Sequence, residues 1–413
     1  MKFVSRNMFA RQLRNSPRKL LAGMVLIGLG VSPLAASATQ ISGDNWNVDI
    51  SGFVNAYYTT VSCSGATLGG TAIASRSLGC GGQQNRTTIG NGLLPDALIT
   101  KFSTQQEGID ISAQISIMAN VATSNALAAN SGVDVRQAFF TLGTPDFGTV
   151  KLGRDYGIFG YNSIIGDMTL IGVGAPVQAT QRGRVALGHI GAGYTYVGSY
   201  GQIVYSSPGT SGFGFTGGVF SPVDNTGAYD SRSAPQVQAQ FSYTGTDLHA
   251  WIGAKTQRFY AIVTPGMPAT ATAPATPATS ALPKSFTMTV GELGASYKIG
   301  QFGLLGNIQE GRGLGILADG DQSNAKGINY LIQATFQATD KLKFGLSGGE
   351  SRNKEDLASA ADFKSNTNIT AGAYYAITKS VTLSVELSQT RSKDFAGQTA
   401  RLNGANVGGF VFF

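Results

Sequence analysis

The stretch Ile109-Asp110-Ile111-Ser112-Ala113-Gln114-Ile115-Ser116-Ile117-Met118-Ala119-Asn120 alternates without a break. Ile109, Ile111, Ala113, Ile115, Ile117 and Ala119 form one set; Asp110, Ser112, Gln114, Ser116, Met118 and Asn120 form the other. Only a β-strand places every second side chain on one face. The length is informative as well, since roughly 9–11 tilted residues carry a strand across a bilayer.

The same pattern recurs outward from this segment. Val48, Ile50, Gly52, Val54, Ala56 and Tyr58 alternate with a more polar set, as do Val237 to Tyr243, Leu248 to Ala254 and Val381 to Leu387. A soluble sandwich also alternates, so the connections decide. Short ones fall at Glu107-Gly108, 143–147, 245–247, Gly300-Gln301, 339–341 and 378–380. Long ones fall at 61–95, 121–132, 155–198, 221–233, 258–284, 310–325, 349–366 and 391–401. Tight turns at one end and long loops at the other mark an outer-membrane barrel. The segments between them predict sixteen strands, at 46–60, 96–106, 109–120, 133–143, 147–156, 199–206, 213–220, 234–244, 248–258, 285–298, 302–309, 326–338, 342–348, 367–377, 381–390 and 402–413. About 16–18 strands enclose an aqueous channel. The fold class is therefore all-β, a 16-stranded antiparallel transmembrane β-barrel. The 258–284 loop, with five prolines among Ala and Thr, reads as a surface loop. Tyr57, Tyr58, Tyr194, Tyr196, Tyr200, Tyr374 and Tyr375 lie at strand ends, where they form interface girdles or simply follow β-propensity.

Residues 1–38 read as a secretory signal peptide, to be removed, with the barrel occupying 39–413. Lys2, Arg6, Arg11, Arg14, Arg18 and Lys19 lead into an apolar run from Leu20 to Val31, and Ala36-Ser37-Ala38 supplies the small-x-small cleavage pattern. The chain has 30 Lys+Arg against 23 Asp+Glu, and the basic excess lies mostly in that leader, so no nucleic-acid partner is expected. Charged residues make up only 13%, well below the usual quarter, yet no later segment has 18 consecutive apolar residues. Strands that show alternate faces to lipid and to water satisfy both observations. Cys63 and Cys80 both follow the leader and are expected to form a disulfide, worth on the order of 3 kcal/mol in the chain-entropy account. Two cysteines without a nearby His do not make a closed zinc site, and no metal or cofactor is expected.

Several runs are recognisable. Arg136-Gln137-Ala138-Phe139-Phe140-Thr141-Leu142 and Phe147-Gly148-Thr149-Val150-Lys151-Leu152-Gly153-Arg154 resemble the fourth and fifth strands of Gram-negative general diffusion porins. Ile203 to Pro208 with Gly212-Phe213, Glu292 to Lys298, and the terminal Phe413 in line with Val411, Gly409 and Val407 are similar to later parts of that family. The resemblance implies an outer-membrane homotrimer that passes small hydrophilic solutes and ions. It also implies contact with outer-membrane lipid, and insertion by the barrel-assembly machinery with Phe413 as assembly signal. It implies an inward-folded third loop starting at Asp155, with acids on the loop facing bases on the wall. Carried over residue by residue, Arg154, Arg136, Lys101 and Arg184 are the candidate wall bases, and Asp155 and Asp167 the loop acids. The loop departs from the family pattern. Its acids are sparse, and Met168, Leu170, Ile171, Val173 and Val177 make it apolar. Such a segment narrows the pore and favours solutes with an apolar part, or it packs against the inner wall.

Passive diffusion needs no catalytic residue. An outer-membrane hydrolase is the first rival, but the chain has only two histidines, His189 and His249. A substrate-specific channel with a specialised third loop is the nearer alternative. An energy-coupled receptor would need a plug and about 22 strands.

Overall fold

The computed structural model describes residues 39–66, 68, 85–122, 133–176, 185–225, 229–264, 279–280, 284–356 and 363–413. The leader, Cys80 and Arg184 lie outside the described residues. The barrel strands are β1 (Trp46–Gly65), β2 (Asp96–Gln106), β3 (Ile109–Ala119), β4 (Val133–Thr144), β5 (Gly148–Tyr156), β6 (Ser199–Ser206), β7 (Phe213–Phe220) and β8 (Gln236–Thr244). They continue as β9 (Leu248–Ala261), β10 (Phe286–Ile299), β11 (Phe302–Arg312), β12 (Lys326–Gln337), β13 (Leu342–Asn353), β14 (Phe363–Ala376), β15 (Val381–Asp394) and β16 (Thr399–Phe412). Each pairs antiparallel with its neighbours in sequence, and β16 closes on β1 from Phe53↔Phe412 to Gly65↔Ala400. Closure leaves no edge, so every ladder group can pair inside the wall. No helix among the described residues is long and apolar enough to cross a membrane.

All sixteen predicted strands are present. The main difference is at the long-loop end, where several run further than the alternation indicated. β13 continues to Asn353, β14 begins at Phe363, and β15 and β16 leave only residues 395–398 between them. Above the apolar band the outward face becomes polar too, with Glu350, Arg352, Arg391 and Lys393, so the periodic contrast fades while the ladder goes on.

The wall is inside-out relative to a soluble protein. Outward positions are large and apolar, among them Ile115, Phe140, Ile203, Ile252, Leu293, Ile332, Leu346 and Leu387, all well exposed. Inward positions are polar and buried, among them Gln114, Gln137, Gln202, Gln238, Gln309, Gln333, Asn368 and Ser388. A continuous apolar belt of this size belongs in lipid. The girdle differs from the expected one. Tyr57, Tyr194, Tyr200 and Tyr374 are buried inside, and of the seven only Tyr58 and Tyr375 are largely exposed. The outward aromatic ring gathers instead at the short-turn end, in pairs such as Phe147–Tyr205, Phe213–Tyr243 and Phe302–Phe336 at 4.9–5.3 Å.

The seam between β16 and β1 leaves little room. A Cβ at Gly408 would stand 2.3 Å from the Ala56 carbonyl oxygen and 2.4 Å from Tyr57 Cδ1. At Gly306, on the outer face of β11, nothing lies within 4 Å. Gly408→Leu is expected to abolish the heat-modifiable folded band on a semi-native gel, by overpacking costs of about 1–3 kcal/mol or more at the closing seam. Gly306→Ala should leave that band unchanged.

Candidate functional site

The segment between β5 and β6 crosses the interior. It contains a short helix, α1 (Tyr161–Gly166), and a 3-10 turn at Met168–Ile171. Burying Met168, Leu170, Ile171 and Val173 drives it inward, at the cost of removing its backbone amides from water. The wall compensates side chain by side chain. Gln238 Oε1 accepts from the N–H groups of Ile158 and Phe159 at 2.8 and 2.9 Å, and Glu292 Oε2 from Gly160 at 2.9 Å. Gln333 Oε1 accepts from Met168 at 2.6 Å, and Glu386 Oε2 from Val173 and Gly174 at 2.8 and 2.9 Å. Ser351 and Gln309 accept from Gly193 and Thr195 at 3.0 Å each. Tyr57 and Asn366 donate to the Ile171 and Gly191 carbonyls. At Gly349 a Cβ would sit 2.3 Å from the Ala192 oxygen, so the loop backbone rests on the wall there. Of the two readings of this apolar loop, packing against the inner wall is the one observed.

Within the loop, Asp167 is a buried hub. Its carboxylate accepts from Thr169 N and Oγ1 (2.9 and 2.8 Å), His189 N (3.1 Å) and the Tyr194 hydroxyl (2.7 Å), and it meets His189 Nδ1 at 3.1 Å. His189 Nε2 reaches Ser347 of β13 at 3.2 Å. Burial alone would raise the Asp167 pKa; the His189 charge and these hydrogen bonds outweigh it and hold the carboxyl below its ordinary value. A second loop, 313–325, also turns in. Lys255 of β9 pairs with its Asp319 at 2.5 Å, both buried.

The loop contacts β8, β10 to β15 and β1, and the inward side chains beneath it are covered. On β2 to β5, by contrast, Ile99, Lys101, Ser103, Ser112, Phe139, Thr141 and Lys151 keep partial exposure. The partly exposed strip of inner wall therefore runs from β2–β5, facing the loop, onto β6–β8 at Ser206, Thr216, Gln240 and Ser242. Lys101 stands on it, paired in register with Gln114 and Asp49. Arg136 enters at an irregularity of the β3–β4 ladder, with Nε on Asp134 at 2.7 Å and Nη1 on the Tyr196 hydroxyl at 3.3 Å.

Two expectations need correction. Arg154 shares a face of β5 with Val150 and Leu152, opposite Ala138 of β4. It is exposed on the lipid side of the wall, its Nε on the Val135 carbonyl oxygen at 3.0 Å. Strand parity excludes it from the lumen. Asp155 and Asp167 do not face the channel as free acids. Asp155 faces in but is saturated by Lys151 (2.5 Å), Gln137 (2.9 Å) and its neighbouring amide. Lys151 has the parity of a wall base, which its alternation with Val150 and Leu152 already indicates.

Asp167→Ala should free the loop without opening the barrel, because it leaves the buried donors of Thr169, His189 and Tyr194 unpaired, at about 1–3 kcal/mol each. Proteolysis within 157–198 and faster amide exchange at 185–198, with the folded gel band retained, are the expected readouts. The sign follows from the lowered carboxyl pKa. Loop order from this carboxylate is complete above its unfolded value near 3.8 and is lost as pH falls through the lower folded value.

A family model described as Gram-negative porin matches residues 23–394. Among solved structures, the chain is similar to the outer membrane channel DcaP of Acinetobacter baumannii, at 14% identity over 91% of this chain and 100% of that one, with a TM-score of 0.65. An anion-selective porin from Comamonas acidovorans gives 17% identity over 89% and 100%, with a TM-score of 0.60. OmpF of Salmonella typhi, in complex with daunomycin, gives 16% over 91% and 100%, with a TM-score of 0.55. No curated protein matches by sequence.

Proposed function

Because the chain belongs to the Gram-negative porin family, whose barrel is an outer-membrane channel for passive diffusion, we propose that small hydrophilic solutes and ions pass between its third loop and the β2–β5 wall. The observation that supports this is the partial exposure of inward Lys101, Ser103, Ser112, Phe139, Thr141 and Lys151 on that strip, whereas the inward side chains of β9–β15 are mostly covered. Lys101, Arg136 and Lys151 are the bases along the path. Arg136 and Lys151 are in contact with Asp134 and Asp155, whereas Lys101 stands opposite Asp49 in the ladder, so the three bases do not carry equal net charge along the path. A charge at a narrow point acts on ions at close range.

The protein works as a pore rather than as an enzyme: Asp167, His189 and Ser347 line up by hydrogen bonds, but all three are buried between loop and wall, where no substrate reaches them. A homotrimer is the proposed assembly, in keeping with the trimer form described for the similar OmpT of Vibrio cholerae. Residues 1–38 act as the removed leader. Phe413 acts as the assembly signal; its backbone exchanges hydrogen bonds with Gly52 at 2.8 and 3.0 Å, at the closing seam. Cys63 and Cys80 form a disulfide on the long-loop side.

Reversal potential across a salt gradient in a planar bilayer tests the pathway. Lys101→Glu is expected to shift preference towards cations, whereas Arg154→Glu, on the lipid face, should leave it unchanged. An unshifted Lys101→Glu channel would remove this strip from the path. Alkylation of the unfolded native protein should require prior reduction if the disulfide is present.

A further inference from the structure

Among the described residues, the partly exposed side of the third loop is rich in rings and aliphatic groups. Tyr161, Ile165, Leu187 and Tyr196 keep partial exposure and pack on the loop's buried cluster, which includes Ile164, Leu170, Ile190 and Tyr194. Tyr156 joins them from the end of β5. Arg136 touches this surface through the Tyr196 hydroxyl. Burial and then the charge of Asp155 push Tyr161 up to about 12, so its hydroxyl keeps its proton and sits near the β5 end of the loop.

The hydrogen-bonding capacity left over here is donor capacity. The Tyr196 oxygen accepts from Arg136 and so retains its own hydrogen. The Tyr156 hydroxyl meets Met118 Sδ at 3.7 Å, a weak acceptor. The guanidinium has five N–H groups, one of which goes to Asp134 and one to Tyr196. Asp155, the nearest buried acceptor, is already saturated. A face of rings with donors at its edge suits a flat apolar body that ends in an acceptor.

We propose that Tyr156, Tyr161 and Tyr196 form, with Arg136, a subsite within the channel for an anionic solute with a flat apolar body, an aromatic carboxylate. This rests on the pore reading above and names a solute class for its narrow part. The ring would lie against the tyrosines, and the carboxylate would meet the remaining guanidinium edge and the free hydroxyl hydrogens. Binding at one open, partly hydrated site is weak enough to release the solute onward, as conduction requires.

The test uses the purified full-length protein in a planar bilayer carrying KCl, with benzoate, acetate and benzyl alcohol as probes. Benzoate is expected to reduce conductance saturably, with an apparent affinity about tenfold or more above acetate and benzyl alcohol. The Tyr161→Ala/Tyr196→Ala double variant should weaken that block by about fivefold or more. Arg136→Gln, which keeps the rings, should bring benzoate down to the level of benzyl alcohol. Equal block by all three probes, or unchanged block by benzoate in both variants, overturns the subsite while the pore stands. Absence of any KCl conductance overturns the pore itself.

Discussion

The structure depends on one constraint: in lipid, each backbone N–H and C=O of the wall must find its partner within the wall. Pairing β16 to β1 from Phe53↔Phe412 onward removes the last open edge and fixes the parity of every strand. Parity then dictates chemistry. A residue whose neighbours two away are Ile, Leu and Val meets acyl chains, and the residues between them meet water or the loop. The rows of inward Gln, Asn, Ser and Thr are the outcome, and a one-residue slip in any strand would reverse it.

The same accounting explains how an apolar loop lies inside a polar barrel. Its side chains gain by leaving water, but its amides must be satisfied once there. Gln238, Glu292, Gln309, Gln333, Ser351 and Glu386 accept from those amides. The barrel thus serves the loop as a helix or sheet would serve a buried strand. A loop held at so many points along β8 and β10–β15 is a fixed surface that covers that side of the inner wall.

Most of the fold was legible because alternation survives wherever one face is lipid. It became illegible where both faces turn polar, as at Arg352 and Asn353 of β13 and at Arg391 to Asp394 of β15. The candidate site was legible in part. Lys101 has the parity of Ile99 and Ser103, and the structure places all three on the inner face. Arg154 shows the opposite. Val150 and Leu152 already placed it on the outer face, and a family resemblance overrode the simpler rule. Glu292 and Glu386 had the right parity to be inward acids. Their partners are backbone amides more than a hundred residues away in sequence, which no periodicity can indicate.

This arrangement changes how the channel can select. A transverse field needs opposite charges on facing surfaces, acids on the loop and bases on the wall. Among the described residues Asp167 is buried in the loop with His189, while Asp134 and Asp155 sit beside Arg136 and Lys151 on the same wall. Paired charges a few ångströms apart produce short-range dipoles whose effect declines steeply across a water-filled gap. Among the described residues the loop side contributes rings and aliphatic groups. Discrimination here therefore rests on contact with that surface and on the donors at its edge, so that the solute's shape and hydrogen-bonding acceptors count together with its charge.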